Sequence, residues 1–516
     1  MLTGNAPPSD ANKSVLKPKA IVIGSGFGGL GAAVRLSGKG YHVTVVEQLD
    51  APGGRAYTYH KDGFVFDAGP TLLTAPHIFE DVWQAGGGRL EDDIEIKPCL
   101  PFYKIRFDDG DTFTCSGDHE QMRAEVTRIS PDEGPAFDRY LEMSREIYDV
   151  AFDKLADKPF HSLTFTLANM ADLVRLGGYW SVYQRVGHFF KNPKLRIAFS
   201  FHPLFIGGNP FSTTAFYCLI AHLERTFGVH YAIGGTGALV RGMVGLIERN
   251  GGIVRCNSRV KTILSENNRA SGVELESGER LDADLVVSNV DPAWTYSKLL
   301  GNRPAKRWTE KKIARSDFSM SLFVWYFGTN RKYEDIDHHS IVLGPRYKGL
   351  LDDIFTHKNM TEDFSLYLHR PTAHDPSLAP EGCDTFYVLS PVPNLASGDD
   401  WKTLAPEYQK RIQARLEETL LPSFSEHIVT SHCLTPQDFQ DRYSSHLGAA
   451  FAMEPKLFQS AWFRPHNRSE ELEGLYMVGA GTHPGAGVPS VLMSAKVVAD
   501  MIPDAAVFAA QRAKIA

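Results

Sequence analysis

A strand, a glycine-rich turn and a helix near the N-terminus predict a dinucleotide-binding unit. The apolar run 20–23 leads into Gly24, Gly26 and Gly29, and apolar residues at helical spacing follow over 30–39. Gly24 permits the tight turn, Gly26 lets the backbone approach a pyrophosphate, and Gly29 lets the helix pack closely on the strand. The helix N-terminus adds free N–H groups and the positive end of the helix dipole.

Glu47 is predicted to hold the ribose of that nucleotide. It ends a second predicted strand, 41–46, at the distance from the glycines that this motif requires. Its carboxylate can accept both ribose hydroxyls and disfavours a 2′-phosphate, which excludes NADP but leaves NAD and FAD open. The segment 52–56, Pro-Gly-Gly-Arg-Ala, follows directly, and we predict that it folds back over the same cofactor.

A second glycine-rich turn lies near the C-terminus. The predicted strand 475–478 enters 479–487, Gly-Ala-Gly-Thr-His-Pro-Gly-Ala-Gly, and a predicted helix covers 488–501. Too little chain follows to supply another strand and another acidic residue, so this is half of a nucleotide-binding unit. Two half-sites closing on one extended cofactor favour FAD, with the ADP moiety at the first turn and the flavin end at the last helix. They leave no site for a nicotinamide.

The composition narrows the class of protein. A chain of 516 residues favours two or three lobes. The net charge of -7 argues against nucleic acid as a partner, because nucleic-acid binders need a concentrated basic face. Six scattered cysteines without a CxxC pair indicate reduced thiols in a cytoplasmic protein and no zinc or iron–sulfur centre. The adjacent pair His338-His339 is a poor metal site, because neighbours on a strand point to opposite faces. No metal is predicted.

The chain resembles the bacterial phytoene desaturases, which belong to the amine oxidase-like flavoprotein superfamily. The resemblance runs over 19–501, nearly the whole chain. It rests on the stretches 24–29, 52–57, 66–71 and 479–489, and on three stretches that look specific to the desaturases, 199–211, 344–347 and 459–467. One departure is Ser490, where many members carry glycine. A serine at a helix N-terminus is a natural cap, so we expect flavin binding to survive.

The resemblance implies an FAD enzyme that takes phytoene from the membrane and introduces double bonds, giving neurosporene or lycopene, with oxygen or a quinone as the final oxidant. We expect an allylic carbon to lose a hydride to flavin N5 and a neighbouring carbon to lose a proton, in a dry tunnel that orients the polyene. The predicted proton acceptors are His202, Glu454 and His483. The predicted cofactor residues are Gly24, Ser25, Gly26, Phe27, Gly28, Gly29, Glu47, Gln48, Gly54, Arg55, Ala56, Gly69, Pro70, Thr71, Val260, Gly479, Gly481, Val488, Pro489 and Ser490.

The predicted architecture is α/β, with a Rossmann-type FAD-binding domain, a mixed-sheet substrate domain and a helical lobe. The predicted boundaries are a disordered leader at 1–18, FAD-binding segments at 19–75, 234–300 and 456–516, a substrate and helical lobe at 76–233, and the mixed sheet at 301–455. No apolar run is long enough to span a bilayer. Apolar clusters over 160–190, flanked by Lys154, Lys158, Arg175, Arg185 and Lys191, predict peripheral contact with the membrane.

Four alternatives remain open from the sequence. An amine oxidase would share the FAD motifs and act on a small polar amine. A carotenoid isomerase would use reduced flavin and leave the substrate mass unchanged. A prenyl-binding escort protein would have lost the flavin chemistry. A desaturase of another carotenoid would differ only in its substrate. The oligomeric state is not predicted.

Overall fold

The computed structural model of the chain describes residues 17–301, 303 and 305–514, so most of the predicted leader lies outside the described residues. The strands are β1 Lys19–Ile23, β2 His42–Val46, β3 Thr58–Lys61, β4 Phe64–Asp67, β5 Leu73–Thr74, β6 Ile96–Pro98, β7 Tyr103–Arg106, β8 Thr112–Cys115, β9 Val229–Ala232, β10 Ile253–Arg255, β11 Val260–Glu266, β12 Arg269–Leu275, β13 Arg280–Asp282, β14 Leu285–Ser288, β15 Ser321–Thr329, β16 His339–Val342, β17 Leu366–His369, β18 Asp384–Val392, β19 Ile428–Leu434 and β20 Leu475–Met477.

The helices are α1 Phe27–Gly38, α2 Pro76–Ala85, α3 Leu90–Asp93, α4 His119–Ile129, α5 Gly134–Ile147, α6 Leu163–Ala168, α7 Met170–Arg175, α8 Val182–Val186, α9 Pro193–Ser200, α10 Leu219–Phe227, α11 Gly235–Arg249, α12 Pro292–Trp294, α13 Glu310–Ala314, α14 Tyr347–Asp352, α15 Trp401–Thr419, α16 Pro436–Tyr443, α17 Val488–Met501 and α18 Ala505–Ala513. In the described part of the chain, no helix is both long and apolar enough to cross a membrane.

Five parallel strands from distant parts of the chain form one sheet, in the order β10-β2-β1-β14-β20. β1 and β14 are apolar and buried along most of their length, as strands covered on both faces must be. The strand order reverses between β1 and β14, and ligands bind in such sheets at the carboxyl ends of the strands beside that point. The register aligns Ile23 with Ser288 and Ser288 with Met477, so the turns that follow these strands lie side by side.

A seven-stranded mixed sheet, β19-β15-β18-β17-β16-β7-β8, forms the second layer. Alternation along its central strand β15 separates two environments. Phe323, Trp325 and Phe327 belong to a core that includes Ile412 and Leu416 of α15, whereas the intervening Leu322 and Val324 line a large cavity. The aromatic run at this strand is therefore mostly packing core, and its alternate aliphatic residues face the cavity.

Helices α4 to α10 occupy residues 119–227, after β8 and before β9 in the sequence. Buried apolar residues of α4, α5, α8, α9 and α10 join the same core cluster as α1 and the parallel sheet. The α/β class with a mixed sheet and a helical region is confirmed. The domain boundaries given above stay a prediction.

Candidate active site

One cavity of about 730 Å³ begins at the carboxyl ends of the parallel strands and is bordered farther on by the seven-stranded sheet and the helical region. Both glycine-rich turns line it, together with apolar side chains from β15, β17, β18 and α10. The two half-sites therefore border a single space, although they lie more than 400 residues apart in the sequence.

The N-terminus of α1 opens toward the cavity without a cap. Its N-cap is Gly26, which has no side chain to accept the first helical N–H groups, and the first turn carries no acidic residue. Phe27 and Gly28 also line the cavity. Unsatisfied N–H groups at the positive end of the helix dipole form an anion site, so this end suits a pyrophosphate.

Asn289 lies beneath both glycine turns. It follows β14 directly, and its N–H donates to the carbonyl of Ile23 at 2.9 Å. A Cβ at Gly28 would lie 2.5 Å from Asn289 Oδ1, and one at Gly479 2.7 Å from the same oxygen. Gly24 and Gly479 also have φ values of +88° and +99°, which favour glycine. Sequence inspection did not single out Asn289. Its position at the carboxyl end of a predicted parallel strand was the signal that could have found it.

Glu47 is buried at the end of β2 and lines the cavity. Its Oε2 accepts hydrogen bonds from the Ser25 N–H at 2.8 Å and the Ser25 hydroxyl at 2.6 Å. Its Oε1 accepts from the Leu49 N–H at 2.9 Å. These bonds fix the carboxylate beside the glycine turn. They use both lone pairs of Oε2 and one of Oε1, so one lone pair of Oε1 is left for a ribose hydroxyl.

Arg55 brings a half-buried cation to the same space. The Gly53 N–H donates to the Ser25 carbonyl at 3.1 Å, which folds the 52–56 segment over the first turn. The Arg55 guanidinium donates to Ser445 Oγ at 2.5 Å, while its Nε is buried without a partner. Burial lowers its pKa, partly offset by the nearby Asp291 carboxyl. A half-buried guanidinium with an unused, buried Nε donor suits an anionic ligand such as a phosphate.

The C-terminal turn places the last helix against the cavity. Val488, Pro489 and Ser490 of α17 line it. The expected serine cap was wrong, because the N-cap of α17 is Gly487 and the structure shows no side-chain cap there. Ser490 is the third helical residue, so the first N–H groups of α17 stay free for a ligand, as they do in α1.

Seventeen of the twenty predicted cofactor residues line the cavity, including Gln48, Ala56, Gly69, Pro70, Thr71 and Val260. Ser25, Gly29 and Gly481 do not line it. Ser25 acts through Glu47. A Cβ at Gly29 would overlap the Gly24 carbonyl, and one at Gly481 would overlap the ring of Pro292, so both positions serve close packing. Uncapped helix ends, a half-buried guanidinium with an unused donor and a glycine cradle together fit a dinucleotide flavin.

Asp67 ties the end of β4 to the start of α11. It is buried at the end of β4, where its Oδ1 accepts from the Thr236 hydroxyl at 3.1 Å, beside the first turn of α11, while Oδ2 has no partner. Burial raises its pKa to about 6, against the lowering effect of the Thr236 and Gly237 hydrogen bonds.

We expect Asp67 to make folding stability depend on pH. The folded chain holds this proton up to about pH 6, whereas the unfolded chain releases it near 3.8. Between these values the folded state binds more protons, so stability falls as pH rises, by up to about 3 kcal/mol in total. The melting temperature of the wild type relative to Asp67→Asn should decrease across this window and then level off. A difference that does not change with pH would contradict the raised pKa.

The remaining cavity wall is apolar, with a small polar group beside the 69–71 loop. Thr71 Oγ1 lies 2.6 Å from the Tyr387 hydroxyl and 3.1 Å from the Tyr367 hydroxyl, and the Tyr387 hydroxyl donates to the Gly69 carbonyl at 2.9 Å. Most of the other lining side chains are aliphatic or phenyl, among them Phe152, Phe160, Phe201, Leu204, Phe205, Ile206, Phe216, Leu322, Val324, Leu343, Leu389, Phe451 and Phe463.

The three predicted proton acceptors have different surroundings. His483 lines the cavity, its ring lies 4.6 Å from that of Phe160, and its Nε2 is unpartnered. Burial lowers its pKa to about 4, which makes it a weak base. His202 and Glu454 do not line the cavity. His202 Nε2 lies 3.1 Å from the Tyr103 hydroxyl, and Glu454 Oε1 accepts from Ser212 at 2.8 Å. Glu224, a buried cavity residue that the sequence did not single out, lies 3.4 Å from His202.

Two solved structures share the fold of this chain. A variant of putrescine oxidase matches with a TM-score of 0.65 at 16% identity, covering 96% of this chain and 99% of that one. An oxidoreductase from Methanosarcina mazei matches with a TM-score of 0.62 at 18% identity, covering 93% and 100%. The family model described as flavin containing amine oxidoreductase matches residues 27–503. Fold and site thus define an FAD-dependent oxidoreductase.

Sequence relatives define the family more narrowly. A phytoene desaturase (neurosporene-forming) of Rhodobacter capsulatus is 48% identical over 493 residues, covering 94% of each chain. A phytoene desaturase (lycopene-forming) of Pseudescherichia vulneris is 45% identical, covering 94% of this chain and 99% of that one. Within the flavin-containing amine oxidoreductases, the chain belongs to the phytoene desaturase family.

Proposed function

We propose that this protein desaturates phytoene, a long apolar isoprenoid, to neurosporene or lycopene, working at a membrane surface with FAD as its only cofactor and oxygen or a quinone as the final oxidant. One observation supports this most directly. A single cavity joins a nucleotide-binding crevice, rich in N–H donors, to a long wall of apolar side chains. An amine oxidase, the alternative on the same fold, would bind a small polar amine. Such an amine would lose its hydration against that apolar wall without new hydrogen bonds to replace it.

The chain contributes binding and orientation in this proposal. Glu47, Arg55 and the two uncapped helix ends would hold the nucleotide, and the apolar wall would align the polyene and exclude water. When bound, FAD supplies a two-electron acceptor for C–H bonds of the substrate.

The membrane-facing part of the proposal rests on an apolar surface at the cavity's edge. We call Leu163, Leu167, Val174, Tyr179 and Phe458 the apolar rim. All five side chains are exposed, between 50% and 73%. Val174, Tyr179 and Phe458 also line the cavity, so the rim surrounds an entrance. An apolar substrate could pass from lipid through this entrance without crossing water.

The basic residues near the rim contribute less to membrane attraction than their number in the sequence indicates, because several are paired with carboxylates. Lys154 lies 3.3 Å and Arg175 3.8 Å from the same Asp172 carboxylate, and Lys158 lies 2.9 Å from Asp157. Exposed pairs of this kind are worth little energetically, but they cancel much of the local positive charge. We therefore propose that apolar insertion, more than attraction to anionic headgroups, holds the protein on the membrane.

The double variant Leu167→Glu/Phe458→Glu should lose affinity for liposomes. Each change removes a large side chain whose burial in lipid would contribute about 1.5–3 kcal/mol, so the partition coefficient should fall by roughly a hundredfold or more. Flotation with neutral liposomes measures this directly. The matched control is Val507→Glu, at an exposed apolar position on α18 outside the rim, which should float like the wild type. Equal flotation of the double variant would exclude the rim as the membrane contact.

The experiment that tests the function is incubation of the FAD-loaded protein with phytoene in liposomes, followed by absorbance and mass of the extracted pigment. Coloured products lighter by successive pairs of hydrogens are expected, and the final mass distinguishes neurosporene from lycopene. Unchanged mass with bound flavin and an oxidant present would overturn the proposal. Altered absorbance at constant mass would instead indicate an isomerase.

A further inference from the structure

Four histidines lie behind the cavity wall at Tyr367. We call His339, His369, His338 and His374 the histidine chain. His338 precedes β16, His339 begins it, and His369 ends the adjacent strand β17, directly opposite His339 in the ladder. Contrary to the expectation for neighbours on a strand, the rings of His338 and His339 lie close together, with centroids 4.3 Å apart.

Short contacts link this chain from the cavity to the surface, except for one gap between His339 and His369. The Tyr367 hydroxyl, on the cavity wall, lies 2.7 Å from His339 Nδ1. His369 Nε2 lies 2.9 Å from His338 Nε2, and His338 Nδ1 lies 2.6 Å from His374 Nδ1. His339 and His369 stack with centroids 5.3 Å apart. The first three histidines are at most 5% exposed, whereas His374 reaches the partly exposed surface.

The interior of the chain is uncharged. Burial lowers the pKa of His338, His339 and His369 well below its usual value, so these rings are neutral near pH 7. No ion pair of the described residues includes any of the four imidazoles. Two buried nitrogens, His339 Nε2 and His369 Nδ1, have no partner. A buried polar group without a hydrogen-bond partner costs about 1–3 kcal/mol, so a purely structural role does not explain why these two nitrogens are there.

We propose that Tyr367 and the histidine chain carry the proton released by dehydrogenation from the cavity to the surface at His374. This inference rests on the proposed function, since it supplies the proton path for that reaction. Neutral imidazoles that both donate and accept can pass a proton along without storing it. Tyr367 is the residue that would touch the substrate, and the histidines act through it.

The substrate loses one hydrogen with its electron pair to the bound flavin, and the second as a proton as the new C=C bond forms. That proton goes to the Tyr367 oxygen while the Tyr367 hydroxyl proton passes to His339 Nδ1. His339 then releases its Nε2 proton toward His369 Nδ1, the two unpartnered nitrogens, which requires a ring rotation or one bridging water. Transfer along the two N···N contacts brings a proton to His374 and solvent.

A metal site is the competing explanation for the cluster. Ligand atoms of Cys99, His338 and His339 lie within 4.8 Å of one another, and all three residues are buried. Both nitrogens of His338, however, already contact other imidazoles at 2.6 and 2.9 Å. A metal would have to break one of these contacts. The close contacts on both sides of the gap between His339 and His369 therefore favour proton transfer.

The test compares Tyr367→Phe and His374→Ala with the wild-type holoenzyme in anaerobic single turnovers with phytoene in liposomes, followed by flavin bleaching. Both variants should slow bleaching by roughly tenfold to a hundredfold or more, within the range of a lost proton-transfer group. His374→Ala should show a larger solvent deuterium isotope effect, and added imidazole should restore its rate. The control His427→Ala changes a histidine that contacts Asn330 instead and should leave both quantities unchanged.

Three outcomes would overturn the proposal. The first is wild-type rates and isotope effects in Tyr367→Phe and His374→Ala. The second is a slow His374→Ala that imidazole does not rescue and whose isotope effect is unchanged, which indicates a structural role. The third is one equivalent of a transition metal in the purified holoenzyme that Cys99→Ser removes.

A second measurement decides the proton path even if the wild type leaves phytoene unchanged and the proposed substrate is wrong. In holoenzyme carrying ¹⁵N-labelled histidine, the buried imidazole N–H protons of His338 and His369 should exchange rapidly with deuterated water. His374→Ala should slow that exchange, and His427→Ala should not. Slow exchange in the wild type, or exchange that His374→Ala does not alter, would overturn the inference.

Discussion

A Gly29→Ala enzyme should purify almost free of flavin. The Cβ of alanine would overlap the Gly24 carbonyl oxygen and lie 3.1 Å from Asn289 Cβ. The first of these neighbours is backbone in the turn that is proposed to hold the pyrophosphate, so it cannot move aside as a flexible side chain would. Overpacking of this kind costs about 1–3 kcal/mol, and the upper end would weaken cofactor binding by about a hundredfold. The ratio of flavin to protein absorbance after purification measures the loss.

The matched control for this variant is Gly245→Ala. Gly245 lies inside α11, where the nearest atom to a new Cβ is Arg249 Nη1 at 3.5 Å. Alanine should keep the flavin and stabilise the helix by about 1 kcal/mol. Full flavin content in Gly29→Ala at wild-type melting temperature would show that the first turn does not depend on close packing at this position.

Glu47→Gln should weaken FAD binding by roughly tenfold to a hundredfold. An amide keeps the shape of the side chain but offers only one oxygen to the two N–H groups and one hydroxyl that the carboxylate now satisfies. At least one buried donor would then face an NH₂ group, at a cost of about 1–3 kcal/mol. Because Ser25 belongs to the first glycine turn, the lost hydrogen bond should disturb the backbone of that turn and so weaken its hold on the nucleotide. Titration of the apoprotein with FAD, followed by flavin fluorescence, gives the affinity.

Glu248→Gln is the control for the charge change alone. Glu248 is exposed near the end of α11, so its neutralisation should leave FAD affinity within about twofold, because exposed charges contribute little. If Glu47→Gln binds FAD as tightly as this control does, Glu47 does not position the nucleotide.

Local sequence determined the elements that carry the nucleotide site. The apolar run before Gly24 and the periodic residues after it predict a strand and a helix, and the structure has β1 and α1 there, with helix bounds that differ by three residues at the start and one at the end. The last helix was predicted at 488–501 and has those bounds. Such motifs are readable because each glycine answers a local demand of turn geometry or close packing.

Tertiary structure alone decided which distant residues share the cavity. Asn289 became the contact between the two turns only because β14 lies between β1 and β20. Ser490 is a natural cap by residue type, but the position at which the backbone enters α17 made Gly487 the N-cap instead. The aromatic run 323–327 is compatible by composition with an apolar tunnel. Alternation along β15, however, places Phe323, Trp325 and Phe327 on the face opposite the cavity.

The histidine chain is likewise decided by the tertiary structure and not by local sequence. His338 and His339 are adjacent, yet their partners His369 and His374 come from a neighbouring strand and the turn after it, and Tyr367 joins them to the cavity. Nothing in the local pattern of these residues predicts the arrangement. Strand pairing brings together residues that lie about thirty positions apart in the sequence. The register of that pairing is selected by the burial of whole strand faces, and this free energy depends on the entire fold and not on any one segment.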